Sequence, residues 1–200
     1  MKDSQTIKEE ITAASKRAFE QKLFAGTSGN LSIYDRAADR LYITPSGIRY
    51  ETMCAADVMV IRLDGSVVEG PHKPSSEWQL HTQVYRNDPS LGALVHTHSP
   101  YATAFAVNRM PIPPTLTEMF PFLGGQVECA PYAKPGTAEV GVYALPALAG
   151  KGGCLLANHG VLAVGRDMPE AYIRAEYIED AARVYCIAKC IGEPVMLSEL

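Results

Sequence analysis

The sequence lacks most of the features that mark disulfide-rich, membrane-spanning and nucleic-acid-binding proteins. Its five cysteines are odd in number and form no Cys-x-x-Cys pair, which argues against a disulfide framework or a thiolate metal site. A net charge of −4 provides no basic field for nucleic acid or anionic membranes. No secretory segment stands at the start, and no apolar run is long enough to cross a bilayer. We therefore expect a cytoplasmic protein without nucleic-acid or membrane partners.

What the sequence does contain is the composition of an ordinary globular domain. Apolar residues make up 47% of the 200 residues and charged residues 20%, enough for a sizeable core. No repeat, linker or low-complexity stretch divides the chain, so residues 1–200 are expected to form one domain. Helical and strand patterns alternate irregularly, which predicts an α/β domain with a central, mostly antiparallel sheet.

Local signals in the first third predict a helix followed by antiparallel strands. Thr6-Ile-Lys-Glu9 has the form of a capping box, and the helix it starts should end near Phe24. Two strand patterns, at 58–62 and 66–69, are joined by Asp64-Gly65. This dipeptide predicts a hairpin with a type I′ turn.

The second half of the chain carries one irregular segment and one long helix. Residues 109–125 are rich in Pro, Met, Phe and Gly, which predicts a long loop. Pro169 should be the first residue of a helix that reaches about Ile191. Cys186 and Cys190 lie four residues apart in that helix, a spacing that favours core packing over a disulfide.

The stretch with the most chemical information is residues 91–98, which read Leu-Gly-Ala-Leu-Val-His-Thr-His. Its alternation has the period of two that marks a strand, so His96 and His98 lie on one face. They either bind one metal ion together or are a hydrogen-bonded core histidine and a surface histidine. His159, between two further predicted strands, is either a third ligand or a solvent-exposed turn residue. Three imidazoles are the ligand count of a catalytic zinc with an open position.

Glu77 is the carboxylate expected beside this metal. It falls in the first turn of a helix capped by Ser75 or Ser76, where the helix dipole favours an ionised side chain. The alternative is an ordinary capping carboxylate. Neither His72, in a predicted loop, nor His81, one helical turn after Glu77, is expected to bind the metal. His81 lies either just behind the ligands or on the surface.

Small polar residues cluster at three strand or helix ends, in 26–30, 44–47 and 75–76. Each cluster offers hydroxyls and backbone N–H groups, which bind phosphate without cationic side chains. Each is an ordinary turn by itself. Only their combination predicts a phosphate cradle.

Five motifs together resemble the class II aldolase/adducin family, in the same order and spacing and over nearly the whole chain. They are Gly-Thr-Ser-Gly-Asn-Leu-Ser (26–32), Ile-Thr-Pro-Ser-Gly (43–47), Pro-Ser-Ser-Glu-Trp (74–78), His-Thr-His (96–98) and Asn-His-Gly (158–160). The resemblance implies a three-layer α/β/α fold, assembled as a cyclic homotetramer with active sites between subunits.

The resemblance also implies the site and its chemistry. Zinc, or another divalent ion such as Mn²⁺ or Co²⁺, would be bound by His96, His98 and His159, with Glu77 as a ligand in the resting site and as catalytic acid/base. The residues implied to bind the substrate phosphate are Thr27, Asn30, Ser46, Gly47, Ser75 and Ser76. The implied enzyme is a lyase that reversibly cleaves a ketose 1-phosphate, through a metal-stabilised enediolate, into dihydroxyacetone phosphate and an aldehyde.

The aldehyde side departs from the family pattern. A family tyrosine from a neighbouring subunit has no counterpart in 113–122, where Thr117 or Glu118 falls near its place. Pro135 replaces a family aromatic, and the chain ends at Leu200, short of a family tail that carries another tyrosine. The apolar side chains of this loop, Met119, Phe120 and Phe122, favour a 5-deoxy or methylthio pentulose phosphate over a fuculose 1-phosphate-like substrate.

Other activities within the family remain as alternatives. Related 4-epimerases carry aspartate in the place of Glu77, which argues against epimerisation. A metal-dependent decarboxylase of a phosphorylated 3-oxo sugar acid needs the same enolate stabilisation. An adducin-like structural module lacks a complete metal site, whereas this chain retains all four candidate ligands.

Overall fold

The computed structural model describes residues 2–198 and contains six α-helices and eight strands within that range. The helices are α1 (Ser4–Glu20), α2 (Trp78–Asn87), α3 (Pro100–Asn108), α4 (Met119–Leu123), α5 (Ala138–Leu148) and α6 (Met168–Ile191). The strands are β1 (Asn30–Asp35), β2 (Arg40–Ile43), β3 (Met59–Ile61), β4 (Val67–Glu69), β5 (Ala93–Thr97), β6 (Cys129–Ala130), β7 (Gly153–Leu156) and β8 (Gly160–Gly165). A short 3₁₀ helix covers Ala55–Asp57.

All eight strands form one sheet with the order β4-β3-β2-β1-β5-β8-β7-β6. Every neighbouring pair is antiparallel except β6 and β7, which are parallel. The prediction of a mostly antiparallel sheet is therefore confirmed. The central strand β5 is buried along its whole length, as expected for a strand covered on both faces.

Helices cover the two faces of the sheet and make the three-layer α/β/α architecture. Ala93 and Val95 of β5 point into a core shared with α1, α3, α4 and α6. Leu94, between them, points into a second core shared with α2 and α5. The alternation along one strand thus places successive side chains in two separate cores. His96, two residues after Leu94, lies on the α2 side.

The first helix begins earlier and ends earlier than its sequence pattern predicts. Its N-cap is Asp3, whose carboxylate accepts a hydrogen bond from the backbone N–H of Thr6, so the capping box at Thr6 is wrong. Aspartate is among the strongest N-cap residues, and it takes the position three residues before Thr6. The helix ends at Glu20, and Lys22 follows with a φ of 61°, a left-handed conformation that prevents continuation to Phe24.

The hairpin between β3 and β4 is confirmed, but its turn is not type I′. A type I′ turn needs positive φ at both central residues, and only Gly65, with a φ of 88°, has it. The carboxylate of Asp64 instead accepts hydrogen bonds from the N–H and hydroxyl of Ser66. Such local bonding by aspartate stabilises a longer turn in which only the glycine is left-handed.

The segment 109–125 is more ordered than a long loop. Backbone hydrogen bonds join Ile112 to Val127, and Met119–Leu123 form helix α4. Met119 and Leu123 are buried, because this one-turn helix packs its apolar side against α6. Burial of these side chains makes up for the weak local helix signal.

Helix α6 begins at Met168, so that Pro169 is its second residue, and it ends at Ile191 as predicted. Cys186 packs partly against the core, whereas Cys190 is exposed, so the prediction of core packing is wrong for Cys190. Both cysteines are free thiols. Between residues 2 and 198, no helix combines the length and apolar character needed to span a bilayer.

Candidate metal centre and phosphate cavity

Three strand ends meet at one edge of the sheet, and the candidate ligands lie there. The start of β1, the end of β5 and the start of β8 are neighbours because antiparallel strands alternate in direction. Asn30 pairs with His96, and Thr97 pairs with Val161, two residues after His159. Motifs far apart in sequence are thus brought side by side by strand register.

Gly160 is the residue that lets the third histidine approach. A Cβ atom at this position would lie 2.3 Å from the carbonyl oxygen of Thr97, so only glycine fits where β8 starts beside β5. Asn158, just before His159, has a φ of 55°, a left-handed conformation that asparagine tolerates better than most residues. Its side-chain oxygen accepts a hydrogen bond from Nε of Arg109. The Asn-His-Gly turn is therefore held in the form that points His159 at the other two imidazoles.

The three histidines and Glu77 converge on one point. One ligand atom from each of the four lies within 4.8 Å of all the others. Nε2 of His96 is 3.1 Å from Nε2 of His98 and 3.1 Å from Oε2 of Glu77. Nε2 of His159 is 3.1 Å from Oε1 of the same carboxylate. His96 is fully buried and His98 and His159 are half-buried, so neither histidine of the predicted strand is a plain surface residue.

The hydrogen bonding of this cluster fits a bound cation. Nδ1 of His96 donates to the carbonyl oxygen of Val161 at 2.7 Å, which in a neutral imidazole leaves Nε2 with a lone pair. That lone pair faces a carboxylate oxygen of Glu77 and another ring nitrogen, an arrangement that is repulsive without a positive charge between them. Oε1 of Glu77 is buried and has no hydrogen-bond partner among the described residues. Three imidazoles and a carboxylate are a donor set suited to zinc and similar divalent ions.

In the metal-free protein, a proton would take the place of the metal ion between these side chains. Burial lowers the pKa of His96, but the Glu77 carboxylate more than offsets this and raises it above the ordinary value. Burial raises the pKa of Glu77, and the His96 and His159 imidazoles outweigh burial and hold it well below its usual range. Burial, together with positive charge on His96 and His159, lowers the pKa of His98 to about 3. The cluster therefore keeps its carboxylate ionised and gathers positive charge around it.

Glu77 is not a capping carboxylate. Helix α2 begins at Trp78, one or two residues later than a cap at Ser76 or Ser75 would place it, and Glu77 is its N-cap residue without any capping hydrogen bond from its side chain. Ser75 does the local bonding instead, since its hydroxyl accepts from the N–H of Glu77. The carboxylate is only 8% exposed and points at the histidines. The structure thus excludes the capping interpretation of Glu77 and places its carboxylate beside the imidazoles of His96 and His159.

His81 is neither a ligand nor a surface residue. It is completely buried and lies behind Glu77, with Nε2 against Oδ1 of Asn30 and Nδ1 against the hydroxyl of Ser32. Asn30 in turn donates from Nδ2 to Oε2 of Glu77 at 3.0 Å. His72, also expected not to bind the metal, instead pairs with Asp57 through Nε2 at 2.8 Å.

The three small polar clusters do meet, in a cavity of about 120 Å³ that opens beside Glu77 and His98. No Lys or Arg lines it, so an anion there would be bound by neutral donors, as the sequence suggests. All six residues implied to bind the phosphate line the cavity. Ser28, Gly29 and Pro45, from the same polar clusters, line it as well. Its lining is Thr27, Ser28, Gly29, Asn30, Pro45, Ser46, Gly47, Ser75, Ser76, Glu77 and His98.

Some groups in this cavity are already engaged. The backbone N–H of Ser46 donates to the carbonyl of Lys73, and that of Ser75 donates to the carbonyl of Thr44. These two serines can therefore offer a ligand their hydroxyls rather than their backbone donors. The amide of Asn30 bonds at both ends but keeps one of its two Nδ2 hydrogens for a ligand.

The aldehyde side is less complete. Thr117 and Glu118 are exposed and bonded to each other, through Oγ1 and Oε2 at 3.1 Å. Met119 is buried in the core of its own chain, and the ring of Phe122 stacks on Tyr177 with ring centroids 4.6 Å apart. The buried Met119 is thus unavailable to an aldehyde pocket, contrary to expectation, whereas for the partly exposed Phe120 and Phe122 that role stays a prediction. Pro135 is exposed, and the chain end at Leu200 lies outside the described residues.

The fold and the site agree with a comparison against known families. Residues 9–186 match the model described as class II aldolase and adducin N-terminal domain. The chain belongs to this family. A class II aldolase fold and an aldolase-type Glu/His₃ cluster are thus present in one molecule.

Two characterised members of the class II aldolase/adducin family are similar over most of the chain. A 5-deoxy-D-ribulose 1-phosphate aldolase of Bacillus thuringiensis serovar kurstaki is 40% identical over 195 residues, which are 98% of this chain and 91% of that protein. A 5-methylthioribulose-1-phosphate/5-deoxyribulose-1-phosphate aldolase of Rhodospirillum rubrum is 41% identical over 173 residues, 86% of this chain and 76% of that one.

A solved structure of an L-fuculose 1-phosphate aldolase has the same fold. It superposes with a TM-score of 0.92 at 40% identity and covers 97% of this chain and 91% of its own. The relatives named here are all aldolases, which are lyases.

Proposed function

We propose that this chain is a metal-dependent class II aldolase acting on a ketose 1-phosphate, with a 5-deoxy or 5-methylthio pentulose 1-phosphate as the favoured substrate. Its products would be dihydroxyacetone phosphate and an aldehyde, and the reaction would be reversible. The proposal takes residues 1–200 as one catalytic domain that acts in the cytoplasm.

One observation carries the proposal: a metal-type cluster and a cavity of neutral hydrogen-bond donors share the side chains of Glu77 and His98. A substrate with a phosphate at one end and a ketone three bonds away would span the two. Binding the phosphate supplies energy far from the reacting carbons and orients them.

The phosphate would be bound by the cavity residues that the family resemblance implies. They combine exposed side chains, such as Thr27 and Ser76, with the buried Ser75 at the turn before α2. Without cationic side chains the cavity would favour a phosphate ester through hydrogen bonds and the N-terminal end of the helix. The remaining residues implied for this role are Asn30, Ser46 and Gly47.

Glu77 would move the proton. It lies between the phosphate cavity and the histidines, and its carboxylate is ionised and shielded from bulk water. In cleavage, the bond between the third and fourth carbons breaks and its electron pair stays on the dihydroxyacetone phosphate half. The hydroxyl on the fourth carbon gives up its proton as it becomes the aldehyde carbonyl, and the ionised Glu77 would take up that proton and deliver it to the third carbon. In synthesis Glu77 would remove the proton from the third carbon and return it to the new hydroxyl.

His96, His98, His159 and Glu77 would hold a divalent metal, with zinc first and Mn²⁺ or Co²⁺ as alternatives. When bound, the metal would act as a Lewis acid toward the negative charge that develops on the substrate oxygens. Neutral imidazoles leave the metal its full charge, and the bond from Nδ1 of His96 to Val161 selects the tautomer whose Nε2 can bind a metal.

The aldehyde would be bound with the help of a second subunit. The single chain leaves Thr117 and Glu118 exposed, which suits residues that serve a neighbouring site. We include in the proposal the homotetramer with active sites between subunits that the resemblance implies. The preference for 5-deoxy or methylthio substrates is supported by the names of two relatives and by the partly exposed Phe120 and Phe122, but no longer by the buried Met119.

The test is a coupled assay for dihydroxyacetone phosphate with the 1-phosphates of 5-deoxyribulose, methylthioribulose, ribulose, rhamnulose and fuculose. Each is run with the protein as purified, after removal of metal by a chelator, and after addition of zinc, manganese or cobalt. We expect release that the chelator abolishes and a metal restores, with the first two substrates preferred.

Two results would contradict the proposal. Release that is insensitive to complete metal removal would exclude the metal role. If the metal-loaded protein cleaves none of the five substrates but releases carbon dioxide from a phosphorylated 3-oxo sugar acid, its reaction is the decarboxylation instead. Light scattering of the purified protein tests the tetramer separately.

A further inference from the structure

Behind Glu77, a row of buried polar side chains runs into the core between α2 and β1. Glu77, His81 and Tyr85 are spaced by four residues on the helix side, and Asn30 and Ser32 by two on the strand. Four helical residues rise ~6 Å and two strand residues ~6.6 Å, so the two series stay in step. They interleave as Glu77, Asn30, His81, Ser32 and Tyr85.

Each neighbouring pair in this row is hydrogen-bonded. Asn30 contacts Glu77 at 3.0 Å and His81 at 2.5 Å, and the Ser32 hydroxyl contacts His81 at 2.6 Å and the Tyr85 hydroxyl at 2.9 Å. His81, Ser32 and Tyr85 are fully buried, and Asn30 is 3% exposed. The Tyr85 hydroxyl also contacts the backbone oxygen of Ser32 at 3.1 Å.

The charge of Glu77 sets the direction of every bond in the row. An ionised carboxylate only accepts, so Asn30 presents its NH₂ group to Glu77 and its oxygen to His81. His81 must then carry its hydrogen on Nε2, and its bare Nδ1 accepts from the Ser32 hydroxyl. The hydroxyl oxygen and the carbonyl oxygen of Ser32 are left to share the single hydrogen of the Tyr85 hydroxyl. One consistent set of donors and acceptors thus extends from the carboxylate to the core.

We infer that His81 is a positioning residue for Glu77 and acts through the amide of Asn30. The bond from His81 prevents Asn30 from rotating its oxygen toward the carboxylate. Asn30 holds Oε2, the oxygen beside His96, and leaves Oε1 facing His159. The orientation of the catalytic and metal-binding carboxylate is therefore set by a residue that touches neither metal nor substrate. This inference rests on the proposed function of Glu77.

Two substitutions of His81 separate positioning from packing. Glutamine places an amide N–H near the position of imidazole Nε2 and can still donate to Asn30. Asparagine places its amide near the position of Nδ1 and cannot reach Asn30. Thr82→Val is the matched control, since Thr82 is buried on the same helix and bonds only to the carbonyl of Gln79.

The first readout is Co²⁺ binding to the full-length metal-free protein, followed by titration of the visible absorption of the bound ion. We expect His81→Asn to weaken Co²⁺ binding by about tenfold to 100-fold and to change the spectrum, as lost support of a metal ligand does. His81→Gln should stay within about threefold of the wild type. Thr82→Val should leave affinity and spectrum unchanged, whatever it does to the melting temperature.

The second readout is steady-state kinetics of the metal-loaded enzyme. We expect His81→Asn to lower kcat by about 30-fold and to raise KM by less than about fivefold, because the carboxylate is misoriented while Asn30 is only one of the six residues expected to bind the phosphate. Equal Co²⁺ binding by the two His81 variants, or equal weakening by Thr82→Val, would overturn the inference. If the wild type cleaves no ketose phosphate, the proposed function fails, yet the Co²⁺ titration still tests the positioning.

A milder variant decides the matter if His81→Asn does not fold. Ser32→Ala removes only the hydroxyl that donates to Nδ1 of His81 and helps to hold the ring, and it keeps the strand backbone. We expect Co²⁺ binding about threefold to tenfold weaker than in the wild type, with a changed spectrum. Wild-type affinity and spectrum in Ser32→Ala would overturn the inference.

Discussion

The two halves of the proposed active site are built in different ways. The half that would bind metal and phosphate is made from the ends of β1, β5 and β8 and the start of α2, all within one chain. Its ligands are buried or half-buried and supported from behind by hydrogen bonds. The half that would bind the aldehyde offers only the exposed pair Thr117 and Glu118.

The difference shows which part of the chemistry needs a rigid scaffold. A proton transfer and a metal site tolerate little displacement, so their side chains lie within a strand or directly at the ends of strands and of a helix, in a sheet packed on both faces. Aldehyde recognition can be varied in a connecting segment without disturbing that scaffold. The loop residue Met119 is buried in the core of its own chain and is not available for recognition, whereas Phe122 packs against Tyr177 and stays partly exposed.

The largest effect is expected at the centre of the buried half. Glu77→Gln keeps the size of the side chain but removes the proton acceptor, so kcat should fall by about 10³-fold. KM should change far less, because the phosphate cavity is intact. Steady-state kinetics with zinc at saturation measures this, and a loss below about tenfold would show that Glu77 is not the acid/base.

Lowering the pH should destabilise the metal-free protein through the buried and half-buried histidines of the metal and phosphate half. Burial lowers the pKa of His81 and of His98 to about 3 from an ordinary 6.5. Below pH 6.5 the unfolded chain therefore binds more protons than the folded chain, so the stability present above pH 6.5 is lost as the pH falls. The unfolding equilibrium constant should rise by up to about tenfold per pH unit for each histidine.

Urea unfolding between pH 7 and 4.5, roughly, checks this prediction without any assay of activity. His96, whose pKa is raised, adds stability as the pH falls toward its ordinary value of 6.5, so it opposes the effect only at the upper end of this window and not well below pH 6.5. His81→Gln should flatten the pH dependence relative to the wild type. A free energy of unfolding that is constant across the window would contradict the burial argument.

A moderate effect is expected at the phosphate end. Ser76→Ala removes a hydroxyl from the cavity, and KM for the ketose phosphate should rise by about tenfold with kcat within about threefold. Ser90→Ala, an exposed serine at the other end of α2, is the control and should be neutral. A drop in kcat without a change in KM would mean that Ser76 does not anchor the phosphate.

The smallest effect is expected on the aldehyde side. Glu118→Gln should change the ratio of kcat/KM between two aldehydes by a factor of about two to five, because an exposed residue contributes little to binding. The rate of proton exchange in dihydroxyacetone phosphate, which needs no aldehyde, should be unchanged. A 100-fold loss of that exchange would place Glu118 in the proton transfer and remove the distinction between the two halves.

Much of the fold and of the candidate site was predictable because it depends on local periodicity. The period of two in residues 91–98 places His96 and His98 on one face, and the order of five motifs indicates the family. The hairpin at 58–69 and the end of the last helix near Ile191 follow from turn residues and helical spacing. Each of these strands, turns and helix ends is decided by residues close in sequence, and each family motif is itself a short continuous stretch.

Other features depended on contacts between distant segments. Asp3 rather than Thr6 caps the first helix, and α4 forms within 109–125 because its apolar side packs on α6. The sequence leaves Glu77 either as a capping residue or as a ligand, and its lack of any capping bond supports the second. His81 is ambiguous in sequence for the same reason, since its partners Asn30 and Ser32 lie about fifty residues earlier.

The sequence by itself determined the family, the strand that carries two histidines and the supply of hydroxyls at three turns. Only the tertiary structure decided that these turns form one cavity, that His159 completes the cluster and that a buried row stands behind Glu77. The physical reason is that periodicity sets the face on which a side chain lies. Strand order and helix packing set which faces meet.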